Sequence, residues 1–361
     1  MKKGILKLPE NRVRRNYLGG AGIDALHGKQ ECVDDNRPEE WVGSMVEASN
    51  PGMEQMKHEG LAVIETESGS RFLRDIVEAE KDYYLGSSIH KDGSWQLSFL
   101  LKILDSAMRL HVQAHPTTRF ARNVMGKPYG KLECYYILQV RAGVDPYIRL
   151  GFQHAPTREE WREIVEQQDV ERMDGCFEKI PVKPGEIWYI PGGMPHAIGE
   201  GITMLEIMEP SDLVVRCEFE REGIVVPEGG RFMGKGLDFC LDIFDYTEYS
   251  KEEIMEKCRI RPELVEQSES MERLRLVDEK RTPCFFADKL CVYQEAEVRH
   301  NRKFTLGVVC SGGCTMEYGD ERISLRQGDS FMIAAAVETY RVIAEGTVEL
   351  VIVYPGKDME A

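Results

Sequence analysis

The run G-E-I-W-Y-I-P-G-G-M-P-H at 185–196 constrains this chain more than any other segment. An apolar strand, a Pro-Gly-Gly turn and a histidine opening the next strand is how a small β-barrel carries an imidazole into its own mouth. Three further donors lie upstream: Gln113 and His115 in V-Q-A-H-P, and Glu133 in Y-G-K-L-E-C. Gln113 and His115 are two apart on a predicted strand, so both side chains point to one face. His196 enters from a strand opposite, and Glu133 opens a strong β run after Pro128, Tyr129 and Gly130. Four oxygen or nitrogen donors on three strands suit a single divalent ion. With one carboxylate, such a site keeps an excess of about one positive charge, which suits an anionic or hydroxyl-rich ligand. A histidine taken alone is more often a core or surface residue. The metal reading rests on the combination of these donors with the turn.

The rest of the chain reads as mainly β. Strand-like runs at 110–113, 134–140, 187–190, 202–208 and 213–219 are separated by Gly and Pro punctuation, as in an antiparallel barrel or sandwich. The pattern changes between Thr157 and Asp174, where a Thr N-cap, an acidic first turn and helically spaced apolar residues predict one or two short inserted helices. A second helical stretch is expected from about 235 to 261, with Ser250 as an N-cap and Pro262 interrupting it. The polar segment 266–280 reads as a linker. Strands resume at 284–286, 291–295, 304–310, 314–318, 331–335 and 348–353, with R-Q-G-D-S-F-M-I-A-A-A standing where P-G-E-I-W-Y-I-P-G-G stood. The expected organisation is therefore a catalytic barrel over 1–220 with its insert at about 157–174, a helical connector and linker over 221–280, and a smaller barrel over 281–361. The second barrel has no histidine after His300 and is expected to carry no metal.

A second group of polar residues surrounds the donors. Lys131 precedes Glu133 by two and can face the same interior. Lys102 lies in the apolar run L-S-F-L-L-K-I-L, where an unpaired ammonium is costly; taken alone it reads as a snorkelling lysine. Arg216 shares a strand face with Val214, and its plain alternative is a structural ion pair. Glu206, in M-L-E-I-M, is a charged residue in an apolar strand and reads as a barrel-interior group. Asp212 belongs with these. Cys134 and Cys217 sit beside proposed site residues but should face the opposite way, as packing groups. The four tryptophans read as core, with Trp188 or Tyr189 as the one that could line a pocket.

Composition excludes several partner classes. Lys and Arg number 46 against 62 Asp and Glu, a net charge of −16, which argues against nucleic acid or an anionic membrane surface. No apolar run approaches a membrane span, and the basic N-terminal stretch lacks the apolar core of a secretion signal. The ten scattered cysteines, with no C-x-x-C pair, are then most simply reduced thiols of a cytoplasmic protein. Nothing in the sequence gives the oligomeric state.

These residues carry a family resemblance. G-E-I-W-Y-I-P-G-G-M-P-H fits the second cupin motif, G-x5-P-x-G-x2-H, up to the histidine. The Q-A-H-P, G-K-x-E and P-H-A-I-G-x-G segments resemble the type I mannose-6-phosphate isomerases in their short bacterial form, from about Tyr17 to the C-terminus. The resemblance implies two cupin-type jelly-roll barrels with short helical insertions and a helical connecting segment. It implies one zinc per chain, held by Gln113, His115, Glu133 and His196. Lys131 and Arg216 fall on the family's positions for proton transfer or substrate contact, with Glu206 a further candidate. Lys102 falls on the lysine implicated in phosphate contact, and His111 and Asp212 on positions facing substrate. The chain departs from the family pattern at three places: His111 stands for a serine, Thr117 for an aspartate and Leu18 for a tryptophan. The implied activity is aldose–ketose isomerisation of a sugar phosphate, mannose 6-phosphate to fructose 6-phosphate, through an enediol. Two other readings use the same donors. His115, Glu133 and His196 alone form a two-histidine, one-carboxylate set suited to a non-haem iron oxygenase, against which Gln113 argues. A non-catalytic sugar-binding cupin is kept open by His111 and Thr117.

Overall fold

The computed structural model describes residues 2–50, 53–67, 69–88 and 95–356. The first half builds a seven-stranded antiparallel sheet in the order Arg259–Ile260, Ile187–Ile190, Glu133–Val140, Ile202–Met208, Leu100–Asp105, Glu39–Trp41 and Arg12–Val13. A five-stranded sheet of Ile180–Pro181, Tyr147–Leu150, His196–Ile198, Gln113–Ala114 and Val215–Arg216 accompanies it. The mainly β class expected from the sequence is observed.

The large sheet is buried on both faces, which explains its unusual composition. Every residue of Ile202–Met208 is buried. Leu205 and Ile207, with their neighbours Leu101, Ile103, Cys134 and Tyr136, belong to a core shared with Phe285, Leu306 and Val308 of the second half. Met204, Leu104, Tyr135, Ile137 and Trp188 belong to a separate core of the first half. Alternation of side chains along each strand divides them between these two cores. The ionisable residues Lys102 and Glu206 sit at positions of the second kind.

The insert forms as expected. Helices Arg158–Gln167 and Val170–Gly175 follow Thr157, whose side chain accepts from Glu160 N–H while Glu160 caps Thr157 in return. Trp161, Ile164 and Val165 bury against Phe152 and Phe177.

The second half is a seven-stranded sheet ordered Ile5–Leu8, Ser330–Ile333, Thr305–Ser311, Val348–Pro355, Phe285–Val292, Met271–Val277 and Glu263–Gln267. It is accompanied by a four-stranded sheet of Glu295–Arg299, Thr339–Ala344, Gly313–Tyr318 and Glu321–Arg326. Of the second barrel expected over 281–361, residues 357–361 lie outside the described residues.

The chain crosses the expected domain boundaries at three points. Residues 266–280 are not a linker: Glu263–Gln267 and Met271–Val277 pair with each other, and the latter pairs with Phe285–Val292. Glu263–Gln267 is the edge strand and is exposed at every residue, so it carries charge instead of an alternating apolar face. Arg273 pairs with Glu266 across the strands at 3.4 Å. The helical stretch expected over about 235–261 consists of two helices, Leu237–Leu241 and Lys251–Cys258, the second opened at the expected N-cap, Ser250, by a capping box. Beyond it, Arg259–Ile260 pairs with Ile187–Trp188 of the first half, ahead of Pro262. Finally, Ile5–Leu8 lies in the second half's sheet, paired antiparallel with Ser330–Ile333, and not in the N-terminal barrel. Among the described residues no helix is long and apolar enough to cross a membrane.

The N-terminal strand is testable through its register. Ile5 is fully buried, whereas Lys7 has a half-exposed side chain in an ion pair with Asp329. Ile5→Ala should lower the unfolding free energy by about 2–5 kcal/mol, and Lys7→Ala by roughly 0–1 kcal/mol. Urea titration of both variants checks this, and equal small effects would mean that the strand is not docked.

Candidate metal centre

The site is assembled from rows that run across the two sheets. Residues directly opposite on antiparallel strands point to the same side. In the large sheet Trp41 lies opposite Lys102, Lys102 opposite Glu206, and Glu206 opposite Tyr135. The adjacent row places Leu100 opposite Met208 and Met208 opposite Glu133. In the small sheet Arg216 lies opposite Gln113, and Gln113 opposite His196. The turn before His196 holds the histidine segments together. Gly193, at φ 88°, donates its N–H to His115 O at 2.6 Å. A Cβ on Gly192 would lie 2.7 Å from the Thr117 Cα, so this turn packs backbone against backbone.

His115, Glu133 and His196 converge, all three buried, with one donor atom of each within 4.8 Å of the others. His115 Nε2 lies 3.2 Å from Glu133 Oε1, and His196 Nε2 lies 3.6 Å from Glu133 Oε2. The Nδ1 of His115 is 2.8 Å from Leu213 O, and that of His196 is 3.0 Å from Met194 O. A carbonyl oxygen accepts only, so each Nδ1 carries the proton and each Nε2 presents a lone pair. Burial, the largest influence on both rings, also favours neutral imidazole, with Lys131 pushing the same way; His115 is lowered to about 4. Two lone pairs and a carboxylate therefore face one another, and His115 Nε2 has no hydrogen-bond partner. That is an arrangement a cation resolves, and these residues fit a divalent ion. Gln113 Nε2 sits 3.3 Å from His196 Nε2; turning the amide over presents its oxygen to the same point.

The other expected residues line the adjoining cavity: Lys102, His111, Lys131, Glu206, Asp212 and Arg216, with Gln113 and Glu133. Lys131 Nζ is 2.7 Å from Glu133 Oε1 and 4.0 Å from Glu206 Oε1. Burial works against its charge, but Glu133, Glu206 and Asp212 outweigh that and keep it an ammonium. Lys102 is not at the mouth. It is 3% exposed and lies between Glu206, at 3.4 Å, and Glu39, at 3.5 Å. Glu206 is pushed up to about 7, chiefly by burial, with Glu133 and Glu39 adding to what Lys102 and Lys131 oppose. Burial also lowers His111 to about 4, so it is neutral, with Nε2 3.3 Å from Ile224 O. Arg216 donates to Gly230 O at 2.8 Å, and Asp212 is exposed at the rim.

Among the cavity residues not singled out by the sequence are Arg15, Tyr17, Glu39 and Tyr135. Glu39 accepts from Tyr17 O–H and Trp41 Nε1, both at 2.7 Å, and Tyr135 O–H donates to Glu133. A signal exists for Glu39, a carboxylate two residues before a tryptophan in a short strand, where both face one way. Thr117, one of the departures from the family pattern, serves the local backbone. Its hydroxyl accepts from Phe120 N–H at 3.0 Å and caps a short helix. Cys134 and Cys217 are buried in apolar cores with their thiols pushed up by burial, which is the packing role expected. Trp188 is fully buried, and neither it nor Tyr189 lines the cavity. A more apolar recess bordered by Trp41, Met45, Trp95, Phe99 and Met208 meets the cavity at Asp212 and is lined by none of the candidate metal donors.

Residues 38–131 match the family described as phosphomannose isomerase type I, catalytic domain, and residues 282–355 match mannose-6-phosphate isomerase, cupin domain. A mannose-6-phosphate isomerase of Streptococcus mutans is 27% identical over 253 residues, 70% of this chain and 72% of that protein. One of Bacillus subtilis is 36% identical over 124 residues, 34% of this chain and 38% of its own length. The crystal structure of mannose 6-phosphate isomerase from Bacillus subtilis superposes with a TM-score of 0.71 at 20% identity, covering 98% of this chain and all of that one. A variant of the Salmonella typhimurium enzyme gives 0.68 at 17% identity, with 98% of this chain and all of that one covered. The solved structures speak for the fold, and the family models and sequence relatives add a likeness in sequence: over these segments the chain is similar to the type I phosphomannose isomerases.

Proposed function

We propose that this chain interconverts mannose 6-phosphate and fructose 6-phosphate at a zinc centre held by Gln113, His115, Glu133 and His196. The observation that carries the reading is the convergence of two neutral histidines on a buried carboxylate, in a cavity that also holds ammonium and guanidinium groups. The lining groups Arg15, Lys102, Lys131 and Arg216 balance Glu39, Glu133, Glu206 and Asp212 in formal charge. A divalent ion would leave about two positive charges over, matching a phosphate monoester near its full charge. When bound, the metal would orient the sugar's oxygens and polarise its carbonyl without redox chemistry.

The residues of the chain supply the rest. Isomerisation moves a proton between C1 and C2 through an enediol, which needs a group able to take and return it. Glu206 is the carboxylate best placed for this. Glu133 faces the two histidines, Glu39 is committed to Arg15, Tyr17 and Trp41, and Asp212 is at the exposed rim. Lys131 stays charged beside it and can donate to an oxygen as negative charge develops there. Lys102 holds Glu39 and Glu206 apart while keeping both compensated. Arg216, His111 and Asp212 face the substrate. Gln113 beside His196 favours a four-donor zinc site over the three-donor iron alternative. Ten cysteines without a disulfide support a reducing, cytoplasmic location.

Metal analysis of the purified protein should find about one zinc per chain in the wild type and little in His196→Ala, together with loss of turnover. Full zinc retention in that variant would remove His196 from the ligand set. Glu206→Gln and Lys131→Met should each keep the metal while kcat falls by about 10²–10⁴. If Glu206→Gln turns over at a near-normal rate with zinc present, the proton carrier lies elsewhere.

A further inference from the structure

The cavity has two ends, set by the order of the strands. Glu133 and Glu39 lie on strands of the large sheet that are separated by two others, Ile202–Met208 and Leu100–Asp105. Lys131 sits at the first end, 2.7 Å from Glu133, and Arg15 at the second, held by Glu39. Arg216 lies opposite Gln113 in the small sheet, and both guanidinium groups line the cavity.

Arg15 is held rigidly. It is 7% exposed. Its Nε donates to Glu39 Oε2 at 2.8 Å and its Nη1 to Asn50 Oδ1 at 2.9 Å. Its guanidinium carbon sits 4.8 Å from the centre of the Trp41 ring. Tyr17 and Trp41 fix the Glu39 carboxylate in turn. These contacts use two of its three nitrogens, and Nη2 has no hydrogen-bond partner among the described residues. Glu39 is also shared with Lys102, at 3.5 Å, so it does not neutralise Arg15 alone. Arg216 uses Nη1 on Gly230 O. A nearly buried guanidinium with unused N–H groups can still donate to an anion in the cavity, and its planar fork suits phosphate oxygens.

We propose that Arg15 is a substrate-anchoring residue that grips the phosphate monoester of the sugar, at the end of the cavity away from Glu133 and the two histidines. The inference rests on the isomerase reading and deepens it. The arrangement leaves the C1–C2 end of the sugar at the triad and sends the phosphorylated end toward Arg15. Asn50 and Glu39 preset the guanidinium, so little side-chain freedom is lost when the phosphate binds.

The test uses the metal-loaded full chain, with Arg15→Gln and Arg15→Lys, the second keeping a cation beside Glu39 if the first fails to fold. For mannose 6-phosphate, KM should rise about 10- to 100-fold while kcat stays within about threefold. Turnover of unphosphorylated mannose should be unchanged, as should zinc content. Binding of inorganic phosphate to the wild type, measured by calorimetry, should weaken by a similar factor in Arg15→Lys, because an ammonium cannot present the same fork. Unchanged KM and phosphate affinity, or equal losses on mannose and mannose 6-phosphate, would make Arg15 a structural partner of Glu39 and overturn the proposal. A wild type that binds phosphate through Arg15 yet turns over no sugar phosphate would instead overturn the isomerase reading.

Discussion

Glu133 is the carboxylate on which the rest of the site depends. It is 1% exposed, pairs with Lys131, accepts from Tyr135 and faces Nε2 of both histidines. A charge so deeply buried is costly unless several partners compensate it. The Lys131 ammonium is the largest influence opposing burial, and the carboxyl is held well below the usual carboxylate range, so it remains ionised. Each partner is placed by a different structural device: Lys131 by the same extended segment, Tyr135 by the same strand face, His196 by the Pro-Gly-Gly turn. Any of them can be lost only by leaving a buried charge less compensated, which is why the centre is a unit.

The wider cavity follows from double-sided burial of the large sheet. Its outer face packs on the second half of the chain, so its inner face is free to carry charges in an ordered row, Lys102 and Glu206, beside the tryptophan and tyrosine that flank them. The second unit thus contributes to the site without supplying a ligand to it. It covers the back of the sheet that the site is built on, and the N-terminal strand Ile5–Leu8 ties the two units into one continuous chain of contacts. The buried lysine Lys102 illustrates the result: what reads in isolation as a long side chain reaching for water is a cation between two carboxylates.

The segments that the sequence misplaces share a cause. Residues 263–277 read as a linker because Glu263–Gln267 is an exposed edge strand and the alternation of the next strand, from Arg273 to Leu276, is short and set among charged residues. Ile5–Leu8 and Arg259–Ile260 are short, and only a partner hundreds of residues away for the first, or the Ile187 strand for the second, defines them as strands. Arg15 and Glu39 stay inconspicuous in the sequence for the same reason. Each is an ordinary charged residue until the fold brings Asn50, Trp41 and Lys102 around it.

The sequence by itself singled out the candidate donors, because their pattern is local: a two-residue strand spacing for Gln113 and His115, a Pro-Gly-Gly turn, and a histidine at its end. It also determined the helical insert, through the capping box at Thr157 and Glu160. The tertiary structure alone decided which charges meet. Whether Lys102 faces water or Glu206, whether Glu39 faces solvent or Arg15, and which end of the cavity is cationic depend on strand register and on sheet-to-sheet packing. Those are set by contacts between residues distant in the chain, and electrostatic energy depends on distance in space and on burial, neither of which local spacing encodes.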